Sequence, residues 1–173
     1  MGGIALAVWN HPRATRDVDI LVAIERSNVE LLIRHLARHS FRPKHQPPLL
    51  TISDHSFVQL LYTPPGEFYD VQLDLLLAES DLQKAAVARR VQRNVPGISQ
   101  PIDVVQCEDL LLFKMIAGRI IDLADAAMLI RENRDGLSFT YLGDWVTRLS
   151  LAPVIQQVWQ EAFPEETCPI CPP

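Results

Sequence analysis

The chain has 173 residues, 48% apolar and 21% charged, which fits one domain with a buried core and a small helical appendage and excludes wholesale disorder. A formal net charge of −5 excludes a broad non-specific grip on nucleic acid, which needs many Lys and Arg contacts to phosphate. It leaves room for a local basic groove or for a site where carboxylates hold cations.

Gly2 to Trp9 is small and apolar and reads as one or two helical turns, closed by Asn10-His11-Pro12. It is too short to cross a bilayer, and Leu6 stands where a myristoylation signal needs Ser or Thr. Arg13 to Ala23 reads as a strand. Val18, Ile20 and Val22 share one parity, and Arg13, Thr15, Asp17 and Asp19 the other. Arg26 to His39 has the spacing of a helix, with Ser27 and Glu30 placed as a capping box. Pro43 to Pro48 connects to two strand-like runs, Leu49 to Ser53 and Phe57 to Tyr62, the second ended by Pro64-Pro65-Gly66. A further strand is expected from Phe68 to Leu77, where Val71, Leu73, Leu75 and Leu77 alternate with Asp70, Gln72 and Asp74.

Ser80 with Gln83 opens a helix expected to run to about Asn94, and Pro101 to Val105 is a short strand. Four helices complete the chain: Glu108 to Ala117, Arg119 to Glu132, Thr140 to Leu149 and Pro153 to Ala162. Phe163 to Pro173 is Pro-rich and reads as a loose tail. The expected division is an α/β core over residues 1–105, a helical part over 106–163 and the tail over 164–173.

Asp17 and Asp19 lie two apart on a strand, so both side chains leave one face, their Cα atoms roughly 6.5–7 Å apart. Carboxylates so placed can share divalent cations. Two cations about 3.5–4 Å apart stabilise the attacking and leaving oxygens of an in-line phosphoryl displacement. Mg²⁺ suits such a site, because it takes a few carboxylates together with water and phosphate oxygens. Asp74 offers a third carboxylate from a strand with the same alternation. Gly2-Gly3 ahead of a short helix lets backbone N–H groups approach a phosphate.

Other signals lead nowhere chemical. His35 and His39 are spaced i, i+4, but Leu36 replaces the Glu of a zincin, so surface histidines are expected. Cys168 and Cys171 form one C-x-x-C with no second pair to complete a zinc site, and with Cys107 they make no disulfide framework of a secreted protein. Trp9, Trp145 and Trp159 read as core or interface residues. A cytoplasmic location with no membrane partner is expected.

The segment GGIALAVWNHPRATRDVDILV resembles the opening motif of nucleotidyltransferase-fold proteins, in which a G-G or G-S turn leads through a short helix to a strand bearing D-x-D. Its R-A-T-R-D-V-D stretch resembles the small bacterial proteins related to the toxins of abortive-infection, type IV toxin–antitoxin systems. VQLDLLL resembles their second motif, and VVQCEDLLLFKMIAGRIIDLADAAMLI their helical motif; the three occur in family order over roughly residues 2 to 131.

The resemblance implies an α/β nucleotidyltransferase fold with a small mixed sheet, flanking helices and a helical C-terminal third. Asp17, Asp19 and Asp74 would be the catalytic, metal-binding carboxylates, with Mg²⁺ or Mn²⁺ as cofactor. Gly2, Gly3, Arg13, Thr15 and Lys114 would contact the nucleotide. Asp122 and Asp125 would support the site, and on one continuous helix they fall within about 80° of Lys114. The family generally has a helix and a short strand ahead of the glycine pair, where this sequence opens. Gly3 stands where the most active members have Ser.

The activity implied is transfer of a nucleoside monophosphate from an NTP to a hydroxyl of RNA, protein or a small molecule, with a cognate antitoxin as a partner. The alternatives are a non-catalytic member of the fold that binds nucleotide or a partner protein, and a two-metal phosphohydrolase.

Overall fold

Period-two alternation in two apolar segments sets the centre of the fold. Asp17–Val22 (β1) lies parallel to Val71–Leu77 (β5), with Asp19 opposite Asp74 and Val18 opposite Leu73. His55–Tyr62 (β4) runs antiparallel to β5, and Phe41–Pro43 (β2) and Leu49–Ile52 (β3) each pair antiparallel with β4. The result is a five-stranded mixed sheet of order β1-β5-β4-β2, with β3 also on β4. This computed structural model describes residues 1–52 and 55–170. Ser53, the expected end of a strand, Cys171 of the C-x-x-C and the last residues of the expected tail lie outside the described residues.

The molecule divides into two compact units, Met1–Ile4 with Ala14–Arg89, and Ala5–Arg13 with the chain from Arg90 onward. In the first unit, one sheet face is apolar. Val58, Leu60, Leu73, Leu75 and Leu77 form its core with Val29, and Val18, Val22, Leu32, Ile33 and Leu36 pack on them. Val29–Ala37 (α2) supplies Val29, Leu32, Ile33 and Leu36 at helical spacing, so this helix covers the face that β1 and β5 turn inward. Asp17, Asp19, Gln72 and Asp74 have the opposite parity and take the other face. Asp81–Ala88 (α3) closes the unit. Its capping box is formed: Ser80 Oγ accepts from Gln83 N at 3.2 Å, and Gln83 Oε1 accepts from Ser80 N at 2.8 Å.

The second unit holds a two-stranded antiparallel ribbon, Val91–Arg93 (β6) with Ile102–Val104 (β7). Cys107–Ala117 (α4), Ile120–Asn133 (α5), Phe139–Arg148 (α6) and Ala152–Ala162 (α7) follow it. Leu111, Leu112, Leu129, Ile130, Ile155 and Trp159 are fully buried there. Gly2–Val8 forms the short helix α1, and its residues are shared between the two units. Among the described residues no helix is long and apolar enough to cross a membrane.

Several expected boundaries are corrected. β1 begins at Asp17, not Arg13, because its ladder with β5, which itself begins at Val71, opens at Asp17 opposite Gln72. The helix expected from Arg26 to His39 is a 3-10 turn over Arg26–Asn28 followed by α2, and Ser27 does not cap it: its hydroxyl donates to Glu25 Oε2. β5 begins at Val71 rather than Phe68. Its neighbour β4 stops opposite, at Tyr62, where Pro64-Pro65 cannot carry a ladder further. The helix expected to reach Asn94 ends at Ala88, because pairing with β7 takes Val91–Arg93 into a strand. The described part of the tail is tied down: Glu166 pairs with Arg134, Pro164 O accepts from Gln160, and Ile170 is buried.

Candidate functional site

The open face of β1 and β5 brings Asp17, Asp19 and Asp74 together. One carboxylate oxygen from each lies within 4.8 Å of the other two, and all three side chains are half-buried. Among the described residues they form the one such cluster of His, Cys, Asp or Glu donors. Parallel pairing makes Asp19 and Asp74 direct cross-strand neighbours, and the i, i+2 spacing adds Asp17.

Each flank of the cluster has a distinct support. Thr15 Oγ1 donates to Asp17 Oδ1 at 2.6 Å. Asp74 accepts from the side-chain amides of Gln59 and Gln72. The Met1 nitrogen donates to the Asp19 backbone oxygen at 2.8 Å, which draws the start of α1 against β1. Gly2 is in the left-handed region at φ +67°, and a Cβ there would fall 1.8 Å from Asp19 Oδ2. A Cβ on Gly3 would fall 2.7 Å from Thr15 Cβ, so Thr15 occupies the room that a serine at position 3 would need. Gly2 thus sets bare backbone against Asp19, and Gly3 against Thr15.

Gly2→Ala is therefore expected to be costly. The left-handed conformation costs an L-residue roughly 1–2 kcal/mol, and the new methyl must also displace the Asp19 carboxylate. Thermal unfolding should show a loss of at least that size. An unchanged melting midpoint would mean that Gly2 does not sit against Asp19.

Lys114, Asp122 and Asp125 meet within the second unit. They do so from two helices, because Gly118 in the left-handed region (φ +65°) ends α4 before α5 begins. Lys114 Nζ donates to Asp122 Oδ1 and to Asp125 Oδ2, both at 2.8 Å. All three are buried, where an exposed helix face is the ordinary setting for a Lys–Asp pair. Arg119 adds a bond to Asp122; Arg13 Nε, at 3.1 Å, and His11 Nε2 add bonds to Asp125. Burial pushes both carboxyls up. That push is outweighed at Asp122 by Arg119 and Lys114, and at Asp125 by Lys114, Arg13 and His11, and both are held below the usual carboxylate range. Arg13 and Lys114 are thus engaged in a charge cluster, where the resemblance implies nucleotide contacts.

The remaining signals fall as follows. Burial, with Glu108 beside it, pushes the Cys107 thiol up to about 12, so it is no nucleophile at neutral pH. His35 and His39 are exposed, Trp145 and Trp159 buried, and Trp9 Nε1 donates to Val105 O. Sequence reasoning missed Gln59, Gln72 and His11. Gln72 carries a signal, since it stands two before Asp74 on the same strand, whereas Gln59 and His11 become visible only once partners distant in sequence are known.

No family model and no curated protein matches the chain. Among solved structures it is similar to an antigenic nucleotidyltransferase-like protein from Paracoccidioides brasiliensis, at 20% identity and a TM-score of 0.47, over 89% of this chain and 81% of that one.

Proposed function

We propose that this is a nucleotidyltransferase-fold protein that moves a nucleoside monophosphate from an NTP to an acceptor hydroxyl. The observation that carries the reading is the convergence of Asp17, Asp19 and Asp74, with the bare backbone of Gly2 against Asp19. Three carboxylate donors without nitrogen or sulfur suit a hard cation, Mg²⁺ or Mn²⁺. Asp17, Asp19 and Asp74 would hold it, and when bound it supplies positive charge at the attacking and leaving oxygens. The acceptor oxygen forms a bond to the α-phosphorus, the bond from that phosphorus to the bridging oxygen breaks, and pyrophosphate leaves. Asp74 takes the acceptor proton on Oδ2, which meets the Gln72 amide, whereas Oδ1 meets the amides of both Gln59 and Gln72. Thr15 orients Asp17, and the missing side chain of Gly2 lets the Asp19 carboxylate lie against the α1 backbone.

The R-A-T-R-D-V-D resemblance extends the proposal to an RNA acceptor, a toxin-type role with a cognate antitoxin, and action in the cytoplasm. The test is incubation with each of the four NTPs labelled at the α-phosphate, Mg²⁺ and total RNA or protein. Label is expected on an acceptor, and Asp17→Ala should abolish it, because losing one ligand disrupts charge stabilisation at both oxygens. Release of free phosphate with no labelled acceptor would favour a phosphohydrolase. Binding of NTP and Mg²⁺ with no label on RNA or protein would replace the enzyme with a non-catalytic binding module.

A further inference from the structure

We propose that Gln59 and Gln72, backed by His45 and Lys44, are positioning residues that fix the orientation of Asp74. The proposal rests on reading the three aspartates as a cation site. Gln72 Nε2 lies 2.9 Å from Asp74 Oδ1 and 3.1 Å from Oδ2, and Gln59 Nε2 lies 3.1 Å from Oδ1. The fold places both side chains beside Asp74. Gln72 precedes Asp74 by two on β5 and shares its face, and Gln59 is the residue directly opposite Asp74 on β4.

A primary amide attracts a carboxylate through its NH₂ end and repels it through its oxygen, so the turn of each amide matters. Both amides are set from behind. Lys44 Nζ donates to Gln72 Oε1 at 2.6 Å, and His45 Nε2 lies 2.8 Å from Gln59 Oε1. An ammonium has donors only, so Lys44 holds the Gln72 oxygen toward itself and leaves the NH₂ for Asp74. A His45 Nε2–H does the same for Gln59.

The intervening amide has a chemical consequence. A lysine bonded directly to Asp74 would compete with a divalent cation for the carboxylate. A neutral amide orients the carboxylate and leaves its full charge in place, with the lysine charge set one side chain further back. Ligands to a metal are commonly held by outer partners of this kind, and loss of one typically costs about 10–100-fold in metal affinity. Asp17 is oriented in the same manner by a neutral group, the Thr15 hydroxyl.

The test is titration of the 173-residue chain with Mn²⁺ alone, with free ion read from its electron paramagnetic resonance signal, beside metal-free thermal melting. Gln72→Leu should raise the Kd for Mn²⁺ about tenfold or more, at the low end of the range for outer partners. Its metal-free melting point should stay within a few degrees of the parent, because the side chain lies on the half-exposed face. Lys44→Met, at an exposed position where folding is not at stake, should weaken Mn²⁺ binding by a smaller factor. Lys44→Arg, another donor-only side chain, should restore it. A Kd within twofold of the parent in both Gln72→Leu and Lys44→Met would overturn the proposal while leaving the aspartate site standing. If Asp19→Asn also binds Mn²⁺ like the parent, the cation site itself is wrong and this inference falls with it.

Discussion

Lys114→Met should destabilise the helical unit by about 3–5 kcal/mol, the usual cost of removing one partner from a buried ion cluster. Lys114 is 7% exposed, and Asp122 and Asp125 are 1% and 2% exposed. Methionine fills a similar volume, so the loss isolates charge from packing. It leaves Asp122 to Arg119, whose side chain is largely in solvent, and Asp125 to Arg13 and His11. The check is denaturant unfolding of parent and variant. Lys114→Met combined with Asp122→Asn and Asp125→Asn should recover much of the loss, because no buried charge is then left without its counterion. A single variant within 1 kcal/mol of the parent would refute the cluster's structural role.

The same cluster makes stability depend on acid. Asp122 and Asp125 have folded pKa values below those of the unfolded chain, so they contribute stability above the ordinary carboxylate value of about 4. That contribution is lost as the pH falls through their depressed folded values. In Lys114→Met the opposition to burial weakens and both carboxyls move up. The gap between parent and variant should therefore be widest near neutral pH and close as the pH drops below about 4. Unfolding curves taken from pH 7 to pH 3 read this directly. A gap that stays constant would place the loss in packing instead.

Legibility in the sequence follows the reach of each interaction. The acidic face of β1 and β5 is legible because a half-buried sheet writes a period of two into its strands, and Asp17, Asp19, Gln72 and Asp74 all obey it. The capping box at Ser80 is legible because both partners lie within four residues. Cross-strand register is not: that Gln59 stands opposite Asp74 depends on where β4 begins to pair, which no local pattern records. The ribbon of β6 and β7 hides for the same reason. Val91, Gln92 and Arg93 fit the end of a helix, and only pairing with Ile102–Val104 makes them a strand. The turn signal Pro96-Gly97 between the two runs, with Gly97 at φ +84°, is the cue that was there to read. Lys114 and its two aspartates are visible as charges. Their burial is not, because it comes from the packing of α4 on α5.

Asp19→Asn should separate stability from function. In the metal-free chain, Asp19 and Asp74 are like charges directly opposite one another, an arrangement that costs about 0.2–1 kcal/mol. Asparagine keeps the shape and removes both this repulsion and the attraction between Asp19 and the Met1 ammonium, so the metal-free variant should melt within a few degrees of the parent. With Mg²⁺ and an NTP the two should part. A ligand that binds only the folded state stabilises by mass action, about 2.7 kcal/mol at a hundred times its Kd. The parent should show that shift and the variant should lose most of it, since a neutral amide is a poor ligand for a small dication. The proposed nucleotidyl transfer, where the parent performs it, should fall by on the order of a thousandfold, the equivalent of several kcal/mol of charge stabilisation in the displacement. Paired melts with and without Mg²⁺ and each NTP decide the matter. If parent and Asp19→Asn rise by the same amount, the ion binds somewhere other than these carboxylates.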